Sequence, residues 1–179
     1  MTAQRQERNG SRSGTGFRPG IAVIALLASL GLAGPGVLAL FPYPARAATT
    51  ERVVVSRYTG LAIEGFDPVA YFVDACPVIG REAYEASESG AVWRFRNEGN
   101  RASFVPHPGI YGPQFGGYDP TDLARGVTFA GNPRFWLISG QRLYLFGRAE
   151  AREAFASDPE RFLREANQRW PQLEQGLAQ

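Results

Sequence analysis

The chain has 179 residues and a formal net charge of +2, room for one ordinary domain plus an appendage and too little for two large domains with a deep cleft between them. All 19 basic side chains are arginine, so Schiff-base chemistry, pyridoxal enzymes and the phosphate-binding P-loop, each of which needs a lysine amine, are excluded. A single cysteine (Cys76) and a single histidine (His107) rule out an internal disulfide, a CxxC redox pair, an iron-sulfur cluster, a four-cysteine zinc site and HExxH or three-histidine metal centres.

Residues 1–47 read as an export leader. Arg5, Arg8, Arg12 and Arg18, set against Glu7 alone, precede a run without charge from Ile21 to Phe41, and Ala45-Arg46-Ala47 then offers small residues three apart for a signal peptidase. Gly34-Pro35-Gly36 interrupts the apolar run, which favours a cleaved leader over the alternative of an inner-membrane anchor formed by residues 21–41. The expected protein is exported, periplasmic or secreted, and touches a membrane only through this segment. Its removal takes away five arginines and one acid and leaves 14 arginines against 16 acids, so the domain is slightly acidic and nothing in its charge invites nucleic acid.

Residues 48–60 form a polar entry segment with one expected edge strand at Val53-Val54-Val55. Beyond it the chain is rich in aromatics and repeats itself at a shift of 51: Trp93 falls on Tyr144, Phe95 on Phe146, Arg101 on Arg152, Phe104 on Phe155, Pro108 on Pro159 and Tyr111 on Phe162. In each copy a strand (82–88; 134–138) runs into a turn signal, Ser89-Gly90 or Ser139-Gly140. A second strand with aromatics at spacing two follows, then a stretch whose Arg and Phe lie three apart on one helix face. The expected fold is α+β: a small antiparallel sheet from two β-hairpin–helix units, with short helices packed on one face. The spacing-two aromatics and the helix Phe residues are assigned to the core.

Two loops fall outside this repeat, Gly65 to Phe72 and Pro113 to Pro120, and each bunches aromatics with an aspartate before a proline. Asp67, Asp119 and Asp158 read as helix N-caps, since Asp-Pro supplies both the capping carboxylate and the first helical residue. Tyr71, Phe115 and Tyr118 escape the periodicity that assigns the other aromatics to the core. With Asp67, Gly116, Gly117 and Asp119 they are the candidates for a ligand pocket. His107, between two prolines, stands at a capping position. Together with Asp67 and Asp119 it offers the alternative of an oxygen-ligand site for a divalent ion, in a metal-binding protein or an enzyme. Cys76 sits in a turn with no base beside it to activate its thiol. No catalytic constellation is recognisable and no cofactor is expected.

Gly65-Phe66-Asp67-Pro68-Val69-Ala70-Tyr71-Phe72, then Trp93-Arg94-Phe95 with Asn100-Arg101 and Phe104, Pro113-Gln114-Phe115-Gly116-Gly117-Tyr118, Arg142-Leu143-Tyr144-Leu145 and Trp170-Pro171 follow one another in the order seen in exported bacterial YHS-domain proteins. The chain resembles that family over residues 61–173, leaving 174–179 as a tail. The resemblance implies a small module related to cysteine-containing metal-binding domains. Where metal-handling relatives carry cysteine after Asp-Pro-Val, this chain has Ala70; where they carry it after the aromatic strand, it has Arg96. In place of the cysteine that follows Gly-Gly-Tyr in exported relatives it has Asp119. A soft thiolate site is thereby expected to be degenerate. The function expected from these residues is that of an exported, non-catalytic binding or accessory domain whose partner is a small ligand or an envelope protein. A structural partner-binding domain at the membrane is the further alternative.

Overall fold

The computed structural model describes residues 51–177, so the expected leader at 1–47 lies outside the described residues. The described chain is α+β and holds two small antiparallel sheets. Its elements run α1 (Ala70–Val73), β1 (Arg81–Glu88), β2 (Ala91–Phe95), α2 (Glu98–Phe104) and α3 (Pro108–Tyr111). After these come α4 (Pro120–Leu123), β3 (Asn132–Ser139), β4 (Arg142–Phe146), α5 (Ala149–Ser157) and α6 (Pro159–Gln175). Single 3-10 turns at Ile63–Gly65 and Gln114–Gly117 precede α1 and α4.

Both hairpins form where the alternation and the turn signals place them. Ser89 and Gly90 (φ 52° and 77°), and Gly140 and Gln141 (φ 55° and 58°), are the paired left-handed residues of tight hairpin turns, whose twist matches that of the flanking strands. The second turn therefore lies one residue later than its Ser-Gly signal, because Ser139 still pairs with Arg142. Each first strand bulges at the same point: Arg81 pairs with Phe95 but Glu85 with Arg94, just as Asn132 pairs with Phe146 but Trp136 with Leu145.

The expected single sheet is instead two separate two-stranded sheets, β1-β2 and β3-β4. Strand β4 explains the difference. All of Leu143, Tyr144, Leu145 and Phe146 are buried: Leu143 and Leu145 join the cluster around Trp93, Phe95 and Phe104, while Tyr144 and Phe146 join Phe155 and Phe162. A strand covered on both faces separates two cores and does not line one side of a single core. The Val53-Val54-Val55 run makes one isolated bridge, Val55 with Ala62, and no edge strand. It stitches the copies together: Val54 N donates to Gly116 O of the second at 2.8 Å, and Val54 O accepts from Ile63 N of the first at 3.1 Å.

The two loops left outside the repeat at a shift of 51 belong to it at a shift of 52. Asp67 N donates to Val78 O and Asp119 N to Phe129 O; Gly80 N donates to Gly65 O and Gly131 N to Gly117 O. Leu61 bridges Val92 in parallel as Pro113 bridges Leu143. The stretch from Asp67 to Gly80 is one residue longer than that from Asp119 to Gly131, and this single residue breaks the ungapped match. Both glycines are required by close approach. A Cβ at Gly80 would lie 2.5 Å from the Arg94 carbonyl carbon, and one at Gly131 would lie 2.5 Å from Leu145 Cβ. Gly131→Ala is accordingly expected to lower stability by about 1–3 kcal/mol through overpacking, measured by urea unfolding. Gly109→Ala, which meets nothing within 4 Å, serves as the near-neutral control.

Candidate functional site

The residues expected to form a pocket divide into two groups. Asp67 and Asp119 are both fully buried, and their oxygens are taken up by the protein. Asp67 Oδ1 accepts from Val69 N at 2.9 Å and Ala70 N at 3.3 Å, and its Oδ2 accepts from Arg96 N at 2.8 Å and Asn100 Nδ2 at 2.7 Å. Asp119 Oδ1 accepts from Thr121 N and Thr121 Oγ1, both at 2.8 Å, and its Oδ2 accepts from Gly147 N at 2.8 Å. In each copy the carboxylate ties the loop that carries it to the residue just past the second hairpin strand. Asp119 is the N-cap of α4 as its Asp-Pro signal implies, whereas Val69 is the cap residue of α1 and Asp67 reaches the helix from two residues upstream.

Tyr71 and Tyr118 are buried as well. The Tyr71 hydroxyl donates to Pro133 O at 2.9 Å and its ring meets Trp136 edge-on at 5.2 Å, which joins α1 of the first copy to β3 of the second. Burial, slightly offset by nearby Arg134, holds the Tyr71 phenol well above the usual tyrosine range. The Tyr118 hydroxyl donates to Glu51 O, and its ring packs 5.9 Å from Trp170. Gly117, next to Tyr118 in the chain, is buried as well.

Phe115 and Gly116 alone among the seven expected pocket residues border an open cleft, of about 580 Å³. Both hold left-handed backbone (φ 55° and 62°), and a Cβ on Gly116 would collide with Arg52 O. The cleft runs between the first hairpin turn, the 108–116 segment and the end of α6; Arg52, Glu88, Trp93, Trp170 and Glu174 also line it. Trp170 stands edge-on to Phe115 at 5.6 Å. Glu88 and Glu174 are half-buried, and among the described residues neither is ion-paired. These wall residues come from four distant stretches of chain. No local spacing signals them, and Trp170 stood out only through its place beside Pro171.

His107 is exposed at the N-cap position of α3 and makes no side-chain capping bond. Cys76 is exposed on the loop after α1. Among the described residues no three His, Cys, Asp or Glu side chains stand together to hold a metal ion. The buried Asp122 is engaged by Arg125 and, at 3.3 Å, by Arg148. No family model, no curated protein and no solved structure matches the chain.

Removing an acceptor shared by several buried donors is costly. Asp67→Asn and Asp119→Asn are each expected to lower stability by about 2–4 kcal/mol, because an amide can accept at only one of the two oxygen positions; chemical denaturation of each variant measures this. Tyr71 adds a pH dependence. Its folded-state value is raised, so its contribution is full below the ordinary tyrosine value of about 10 and falls as pH rises above it, where the unfolded chain ionises first. Tyr71→Phe is expected to flatten that alkaline loss in an unfolding series run across pH.

Proposed function

We propose that this chain is an exported, non-catalytic YHS-like binding module, an α+β scaffold of two hairpin–helix units behind a leader. Its sulfur site is degenerate, and it binds its ligand in the cleft bordered by Phe115, Gly116 and Trp170. One observation carries the account of the degenerate site. The two positions at which the resemblance puts cysteine in metal-handling relatives, 70 and 96, stand on either side of one carboxylate: Ala70 N and Arg96 N both donate to Asp67, at 3.3 and 2.8 Å. Two cysteines there would flank that carboxylate. In this chain the first position presents a fully buried methyl group, and the second a guanidinium whose Nη1 lies 2.8 Å from Asp74 Oδ2.

These residues do not fit a soft cation. A methyl group has no lone pair, and a guanidinium carries a positive charge and no acceptor. Asp119, in place of the third cysteine, has its oxygens committed to Thr121 and Gly147. A binding role is supported by the commitment of these buried groups to the fold: the carboxylates serve backbone donors, and burial raises the pKa of the Tyr71 phenol.

The test is retention of copper(I) and zinc by the protein as purified from cells, in parallel with a Cys76→Ser/His107→Ala variant. Neither is expected to retain a stoichiometric ion after dialysis. The double variant Ala70→Cys/Arg96→Cys is expected to gain a copper(I) site. Tight binding by the Cys76→Ser/His107→Ala variant, or none by the double-cysteine variant once its fold is verified by circular dichroism, would sink this account of the site.

A further inference from the structure

We infer that the cleft takes an organic cation, a small ligand with an apolar body and a positively charged nitrogen. This deepens the reading of the chain as a binding module and rests on it. The volume of about 580 Å³ lies within the range of small-molecule sites. Its composition then selects the ligand.

Four aromatic rings, Trp93, Phe104, Phe115 and Trp170, make up most of the apolar share of the walls, beside Val53, Pro108 and Pro113. Phe115 and Trp170 are half-buried and meet edge-on at 5.6 Å, and the more deeply buried Trp93 also lines the cleft. Aromatic faces carry negative potential and attract a cation as well as apolar surface, indole most strongly. The charged share is one arginine, Arg52, and two glutamates, Glu88 from the end of β1 and Glu174 from the last turn of α6. The lining is therefore net negative.

Glu88 accepts a hydrogen bond from the Ser89 hydroxyl at 3.0 Å, and among the described residues neither glutamate has a cationic partner. A wholly apolar ligand entering the cleft would strip water from these carboxylates with nothing in exchange, and an anion would be repelled by them. A positively charged nitrogen on an apolar body satisfies both the rings and the carboxylates. A metal ion does not, because two carboxylates on separate elements provide too few ligands to replace its hydration shell.

The decisive experiment is an isosteric series titrated into the purified full protein by calorimetry and by the emission of its tryptophans. The probes are choline, its neutral carbon isostere dimethylbutanol, the anion dimethylbutanoate, and the larger cation benzyltrimethylammonium. The cations are expected to bind at least about tenfold tighter than the neutral isostere, with affinity falling as salt rises. Glu174→Gln and Glu88→Gln are each expected to weaken cation binding by about three- to tenfold without moving the unfolding midpoint, and Trp170→Leu to weaken every probe. Equal affinity for the neutral probe, or preference for the anion, overturns the choice of a cation while leaving the cleft as the binding site. No binding by any member of the series overturns the cation and the cleft reading together. Binding of the cations that is unchanged in Trp170→Leu places them elsewhere and likewise overturns the proposal.

Discussion

One buried carboxylate in each half of the molecule holds the loop before the hairpin to the end of the hairpin. Sealing a carboxylate away from water is costly unless its oxygens receive hydrogen bonds, and here each is met by backbone N–H groups together with one polar side chain. The consequence is geometric. Because Asp67 must reach Arg96 N while its own N–H reaches Val78 O, the strand entering each hairpin is drawn close to the outgoing strand, and only glycine fits at positions 80 and 131. The positive φ values at Ile63 and Glu64, and at Phe115 and Gly116, belong to the same construction. They turn the chain sharply a few residues before each aspartate.

The same constraint separates support from function. Groups committed to holding the fold are poor candidates for chemistry, and Asp67, Tyr71, Tyr118 and Asp119 are all so committed. The open surface arises where the two copies differ. After the second copy, α6 continues from Pro159 to Gln175, and Phe162 stacks on Phe155 at 6.2 Å. After the first, the matching helix α3 stops at Tyr111, and that ring is turned aside to meet Phe72 at 5.4 Å. A four-residue helix cannot cover what a 17-residue helix covers. The cleft opens beside the short one and borrows its other wall from the long one.

Much of the scaffold was legible in the sequence because its signals are local. A turn signal followed by spacing-two aromatics gave both hairpins, and Asp-Pro gave the starts of α4 and α6, where Asp158 caps Arg161 N at 3.1 Å. The core assignments of Trp93, Phe95, Phe104, Tyr144, Phe146 and Phe155 follow from the same periodicity, and all six are buried. Features that depend on long-range geometry were not legible. Burial of β4 on both faces requires knowing what lies across it, and the extension of the repeat through both Asp-Pro loops is hidden by a single extra residue. Tyr71 and Tyr118 looked free because no period claimed them, yet each is packed by a partner more than 50 positions away. Of the expected pocket residues, Phe115 and Gly116 border the cleft, and the remaining walls come from segments that sequence spacing has no means of grouping.

The form of the carboxylate staple also bears on how side chains beside it can vary. At positions 70 and 96 the staple uses backbone N–H groups, which every residue but proline supplies, so the bond to Asp67 is indifferent to the side chains there. The second copy illustrates the freedom. Its counterpart of Arg96 is Gly147, which makes the same bond to Asp119 with no side chain at all, and its counterpart of Ala70 is Asp122, engaged by Arg125 and Arg148. A guanidinium and a hydrogen thus occupy equivalent places around the two staples, while Asp122 N, unlike Ala70 N, turns to the Asp119 backbone carbonyl at 3.2 Å. A scaffold held in this way tolerates a change of side chain at those positions without rebuilding its core. The aromatic framework is therefore independent of the side chains around the staples, and the two copies part company where α3 is short and α6 is long, beside the cleft.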